Sequence, residues 1–283
     1  MRKKRLQSAL HCLLLAGAAA LSINAQTPSS QPALDAKTIS ITVVYAHSGG
    51  VVRLNGIPID LFGNGDPKSG DTGTLFIGNG VTNYGRNGVN ELSVETKPSG
   101  SEKDASTELI VYDASAEQSI DHPLFRKKIA GAGAIQYSLT LRNLPHRLFD
   151  DATPWHGDPQ AVLAAVRQMH KALVARDMKT VAGFLRPTYD FMAEADQKQI
   201  GGFDNMMAQF ENSLKGSKML ELAAELDVES YYDGRLFRVS GADGLAPLRS
   251  ASTKLGADGK PDEILEMGSF WCYRNGAWYP LGD

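Results

Sequence analysis

The apolar residues of this chain change their period from strand-like to helical near residue 158, and that change limits the folds open to it. Before it, apolar residues recur at every second position in short runs. Ile39, Ile41 and Val43 alternate with Ser40, Thr42 and Val44, and similar runs occupy 51–54, 57–62, 74–77, 91–95, 109–112 and 135–141. Period two is the mark of a strand with one buried face. The runs are separated by Asn55-Gly56, residues 63–66, Asn79-Gly80 and Asn87-Gly88, pairs that adopt the positive φ of tight hairpin turns. Residues 38–143 are therefore expected to form an all-β sandwich or barrel, with no helical period of useful length.

Residues 144–157 carry Pro145 and Pro154 among alternating polar residues and read as a linker. Asp158 can then cap a helix that has Pro159 in its first turn. Val162, Val166, Met169 and Leu173 draw one apolar stripe on that helix, which closes near Arg176. Asp177 caps a second helix containing Val181, Phe184 and Leu185, and Pro187 is expected to end it. Phe203, Met207, Phe210 and Leu214 mark a third, ending at Gly216. Strands follow. Leu220, Leu222, Ala224, Leu226 and Val228 alternate with mostly acidic residues, and the strand is expected to turn at Asp233-Gly234. A two-residue loop there sets Tyr232 opposite Arg235 and Glu229 opposite Arg238. Another strand spans 248–255, and a last hairpin turns at Asn275-Gly276. Three helices followed by an antiparallel sheet make residues 158–283 an α+β unit.

Two resemblances accompany these patterns. The run Val52-Arg53-Leu54-Asn55-Gly56-Ile57-Pro58-Ile59, followed by Gly85-Arg86-Asn87-Gly88-Val89-Asn90-Glu91-Leu92-Ser93-Val94, resembles the jelly-roll sandwiches of the galactose-binding-like class. Residues 173–181, with Asp177 at a helix junction, and the aromatic hairpin 270–279 are similar to the NTF2-like superfamily, a cone of helices wrapped by a curved sheet. The second resemblance implies an α+β cone over 158–283. Its members include isomerases, dehydratases, transport factors and binding domains.

In the last hairpin a two-residue turn pairs Tyr273 with Trp278 and Trp271 with Pro280 on one face, and leaves Phe270, Cys272, Tyr279 and Leu281 on the other. Both faces are then apolar. Antiparallel sheets commonly solvate one face, so helices are expected on one side and the first half, a second copy (a homodimer through this sheet) or a ligand on the other. Trp271, Tyr273 and Trp278 are the binding candidates on this ground.

Arg2, Lys3, Lys4 and Arg5, the apolar run 13–21 and the small residues before Gln26 follow the plan of a cleavable secretory signal. Cleavage is expected between Ala25 and Gln26, with residues 26–37 a flexible leader of Ser, Pro, Gln and Ala. Even counted from Ala9 to Leu21 the apolar stretch is about a dozen residues, short of the roughly 20 that span a bilayer, so no stable membrane anchor is expected and the product is placed in the periplasm or outside the cell. Removing residues 1–25 takes four of 29 basic residues and none of the 32 acidic ones, which moves the formal charge from −3 to −7 and argues against a nucleic-acid partner. Cys272 is left as the one cysteine, so packing rather than disulfides must hold the fold.

A catalytic pocket in an α+β cone would need an acid or base in an apolar cavity. Tyr189 and Asp190, beyond Pro187, and His170, on the flank of the first helix, are the candidates. Each has a plainer role, Asp190 as a local hydrogen-bond acceptor and His170 as a half-buried helix residue. His146, Asp150, Asp151, His156 and Asp158 cluster without the spacing of a zinc site, and Asn64, Asp66 and Asp71 do not follow the spacing of a calcium loop. No nucleophile elbow, phosphate loop or dinucleotide fingerprint is present. The residues therefore favour a binding or interaction protein that uses no metal or other cofactor, over an enzyme with its pocket in the cone or a glycan-binding sandwich.

Overall fold

The computed structural model of the chain describes residues 33–63, 72–77, 79–99, 104–115, 121–195, 202–255 and 261–281. Residues 1–25 with the Ala25-Gln26 junction, and Asn64, Asp66 and Asp71, lie outside them. Among the described residues the chain is mostly β, with four open sheets and a few helices.

The first half contains β1 (Leu34–Asp35), β2 (Ile39–Ala46), β3 (Ser48–Leu54), β4 (Ile57–Phe62), β5 (Thr72–Ile77), the short helix α1 (Asn79–Tyr84), β6 (Gly88–Pro98), β7 (Ser106–Asp113), β8 (Phe125–Ala130) and β9 (Gly133–Arg142). They form a five-stranded sheet in the order β1-β9-β6-β3-β4 and a four-stranded sheet in the order β5-β2-β7-β8. One core joins them. Val52, Leu54, Leu92, Val94, Ile135 and Leu139 of the first sheet share it with Ile39, Ile41, Val43, Leu109 and Val111 of the second, all at alternate positions. The period-two reading of these strands follows from that alternation.

Three features differ from the sequence reading. Leu34 and Asp35, within the expected leader, pair in parallel with Leu141 and Arg142. Strand β8 carries Arg126, Lys127 and Lys128 at the sheet edge, where charge discourages further pairing and hides the apolar period. Asn79-Gly80 opens a helical turn rather than a hairpin.

In the second half Asp158 accepts a hydrogen bond from the Gln160 amide at 2.9 Å and starts a 3-10 turn that leads into α2 (Val162–Ala175). Val162, Val166, Met169 and Leu173 are wholly buried, as their stripe predicts. Arg176 ends the helix in the left-handed region, φ 56°. Helix α3 (Met178–Ala195) runs on through Pro187 instead of stopping before it. Downstream packing outweighs the lost backbone bond there, since Phe191 reaches the first-half core and the Thr188 hydroxyl donates to the Pro280 carbonyl at 2.5 Å. Helix α4 (Phe203–Ser213) precedes β10 (Ser217–Met219).

Residues 220–225 alternate in sequence but form no strand. The strand begins only at β11 (Leu226–Tyr231), which pairs with β12 (Leu236–Gly241). Their register sets Glu229 opposite Arg238, as expected, but pairing stops at Tyr231 and Leu236. Tyr232 and Asp233 have positive φ, so the loop has four residues. Strands β13 (Leu248–Leu255) and β14 (Pro261–Met267) join β10 in a three-stranded sheet, and β15 (Phe270–Arg274) and β16 (Ala277–Pro280) join β11 and β12 in a four-stranded one.

The last hairpin has the expected register: Trp271 opposite Pro280, Cys272 opposite Tyr279 and Tyr273 opposite Trp278. Asn275 and Gly276 supply φ 51° and 83°, the tight turn that Asn-Gly favours. Both faces of this sheet are covered from within the chain. Phe237, Val239 and Trp271 pack with α2, while Leu236, Phe270 and Cys272 belong to the core of the first-half sheets. The two halves thus share a hydrophobic core.

Candidate binding site

The segment 144–157 does more than connect. Leu148, Phe149 and Ala152 are buried in the shared core. The Thr153 amide donates to the Tyr273 carbonyl and the Trp155 amide to the Gly234 carbonyl, both at 2.8 Å. The Arg147 guanidinium holds Asp150 through two nitrogens at 2.8 and 3.0 Å and donates to the Gly85 carbonyl in the first half. It also lies over the rings of Phe149, at 4.3 Å, and Tyr232, at 5.6 Å. Burial pushes the Asp150 carboxyl up, but the hydrogen bonds and charge of Arg147 outweigh it and the carboxyl sits below its ordinary value.

The Tyr232 hydroxyl donates to the Tyr84 carbonyl and is 3.4 Å from the Asn55 amide nitrogen. Asn55 and Asn90 are bonded to each other at 2.9 Å. The buried Asn90 also accepts from the Arg86 amide and donates to the Arg86 and Gly88 carbonyls. These asparagines fasten one end of the first half to the second.

The residues singled out as catalytic candidates do not meet. His170, half-buried, bonds the Leu220 carbonyl at 2.8 Å, and so closes the segment that forms no strand. Asp190 is exposed and pairs loosely with Arg186 at 3.5 Å. Tyr189 packs edge-on against Phe203, 5.1 Å away on α4. Of the binding candidates, Trp271 is wholly buried and its indole donates to the Gly268 carbonyl at 2.6 Å. Tyr273 and Trp278 are half-buried under Trp155, with ring centres 4.8 and 5.6 Å away. His146 lies 2.8 Å from Asp151 and 3.8 Å from Asp150. Among the described residues no three His, Cys, Asp or Glu side chains form a metal-binding group, and no helix is long and apolar enough to cross a membrane.

A groove of about 940 Å³ opens on the outer face of the five-stranded sheet. Gly49, Val51 and Arg53 of β3 and Glu95 and Lys97 of β6 line it, with Gly133 of β9 and Ser99 beyond β6. Asp243, from the loop after β12, lines it from the second half. Arg53 and Glu95 approach to 3.6 Å, and Asp243 pairs with Arg249 at 3.2 Å. A side chain at Gly50 would collide with the Glu95 carbonyl and the Phe62 ring, so glycine there serves the close approach of strands.

A smaller depression of about 430 Å³ adjoins the same loop, lined by Glu229, Arg238, Ser240 and Gly244 among others. Arg238 spends its guanidinium inside the fold, on Glu229 at 3.1 Å, Ser240 at 3.2 Å and the Gly244 carbonyl at 2.7 Å. Burial and the neighbouring Glu229 raise the Tyr231 phenol, which donates to Glu229 at 3.0 Å. Sequence reading missed the larger groove, because Asp243 comes to line it beside residues of β3 and β6 only after the halves dock. The one signal was the exposed alternation of Glu91, Ser93, Glu95 and Lys97.

No family model matches the chain, and neither does any curated protein sequence or solved structure.

Proposed function

We propose that the chain is an exported, non-catalytic binding protein of the cell envelope, a β-sandwich followed by an NTF2-like α+β domain, with its ligand in the groove the two share. The observation that carries this reading is the groove's lining, which takes Arg53, Glu95 and Lys97 from the first half and Asp243 from the second. A site built by both halves explains why they are held together by a common core and by Arg147. Pocket catalysis has less support, since His170, Asp190 and Tyr189 are each engaged with different neighbours. Export rests on the basic and apolar segments of residues 1–25.

Photo-crosslinking in cells tests the reading. A benzophenone amino acid is placed at Lys97 or Asp243, on the two sides of the groove, or at Lys127 on β8. Adducts at 97 and 243 that are absent at 127 support the groove. No adduct at either groove position, or equal adducts at 127, contradicts it.

A further inference from the structure

We infer that the groove binds an extended polypeptide segment carrying a basic and an acidic side chain two positions apart, an inference that rests on reading the groove as the ligand site. Its lining balances charge, with Arg53 and Lys97 against Glu95 and Asp243. A polyanion would meet Glu95 and Asp243, and a polycation would meet Arg53 and Lys97. A neutral glycan is held chiefly by aromatic platforms, and none of the groove's described lining residues is aromatic.

Spacing favours a peptide. Glu95 and Lys97 stand on one face of β6, about 6.6 Å apart along the strand, which is also the distance between alternate side chains of an extended ligand. Glu95 is 57 % exposed, and Lys97 is exposed with no partner among the described residues. Strands β3 and β6 are both paired on each side, so the ligand cannot join the sheet as a new strand and must be read through side chains. Ser99 continues the row at the groove's end. It is 7 % exposed and its hydroxyl has no hydrogen-bond partner among the described residues, the kind of group that a ligand amide satisfies.

The test is selection of phage-displayed random peptides of about twelve residues, long enough to cross the groove when extended. Residues 26–283 and the Lys97→Glu variant are immobilised in parallel at roughly 0.1 M salt. Lys97 is exposed and has no partner among the described residues, so this variant keeps the fold. The expected result is enrichment, on the wild type, of peptides with Lys or Arg two positions from Asp or Glu. Synthetic copies should bind the variant about tenfold more weakly or worse. No enrichment, enriched peptides lacking the charge pair, or equal affinity for the variant overturns the inference. Neutral oligosaccharides of glucose and of N-acetylglucosamine form a second arm. If they bind the wild type and lose affinity in Lys97→Glu, the peptide assignment fails while the groove stands. If peptides and sugars both leave the groove empty, both readings fail.

Discussion

Replacing Arg147 with Met tests whether the segment between the halves is a structural strap. Methionine keeps most of the aliphatic stem and removes the guanidinium. The buried Gly85 carbonyl loses its donor, which costs about 1–2 kcal/mol. Asp150 loses both charge-assisted bonds. Its side chain is 28 % exposed, so water replaces part of them and the loss is about 1 kcal/mol rather than the 3–5 of a fully buried pair. Removing the cation from over Phe149 and Tyr232 adds about 0.5–1 kcal/mol. The sum is about 3 kcal/mol. With a urea m-value of about 3 kcal/mol/M for a chain of this size, the midpoint should fall by about 1 M. Tryptophan fluorescence and far-UV circular dichroism should follow one curve, because the halves share a core. A fall under about 0.3 M, equivalent to about 1 kcal/mol, would refute the strap. So would a curve that splits into two transitions, only one of which moves.

The same pair governs acid stability. The Asp150 carboxyl is lowered in the folded chain, so its contribution is present above the unfolded value of about 3.9 and is lost as pH falls through the folded value. The Tm gap between wild type and Arg147→Met should therefore close as pH drops below about 4, and a gap that stays constant down to pH 2.5 would contradict this. Burial pushes the Cys272 thiol up to about 12 against the opposing charge of Arg274, so a thiol reagent at pH 8 should label it only in denaturant. Stoichiometric labelling of the native chain would place it outside the core. Gly276→Ala should cost about 1 kcal/mol, since φ is 83° while nothing lies within 4 Å of the added carbon; an unchanged Tm would show that the turn relaxes freely.

The parts legible in sequence were those decided locally. The register of the last hairpin follows from Asn275-Gly276, and the apolar character of both its faces foretold cover on each side. The α2 stripe and the Glu229–Arg238 pairing are equally local. Long-range packing decided the rest. Pro187 stays helical because residues beyond it find partners in β16 and the first-half core. The alternation at 220–225 fails as a strand because alternation records side-chain chemistry and not the presence of a neighbour. Linker composition concealed the strap, since Leu148 and Phe149 sit among prolines and charges without a strand or helix period. Tyr189, Asp190 and His170 resembled a site by residue type alone.

The groove takes its lining from both halves only if Asp243 keeps its place beside β3 and β6, so the most direct measurement is native-state hydrogen exchange on residues 26–283. Amides of β3 and β6, which floor the groove, and of β12 and β15, which carry the shared core, should exchange with one common free energy, that of global unfolding. If β12 and β15 instead open at a distinctly lower free energy while β3 and β6 remain protected, the halves are separate bodies. A groove shared between them would then not be a preformed site.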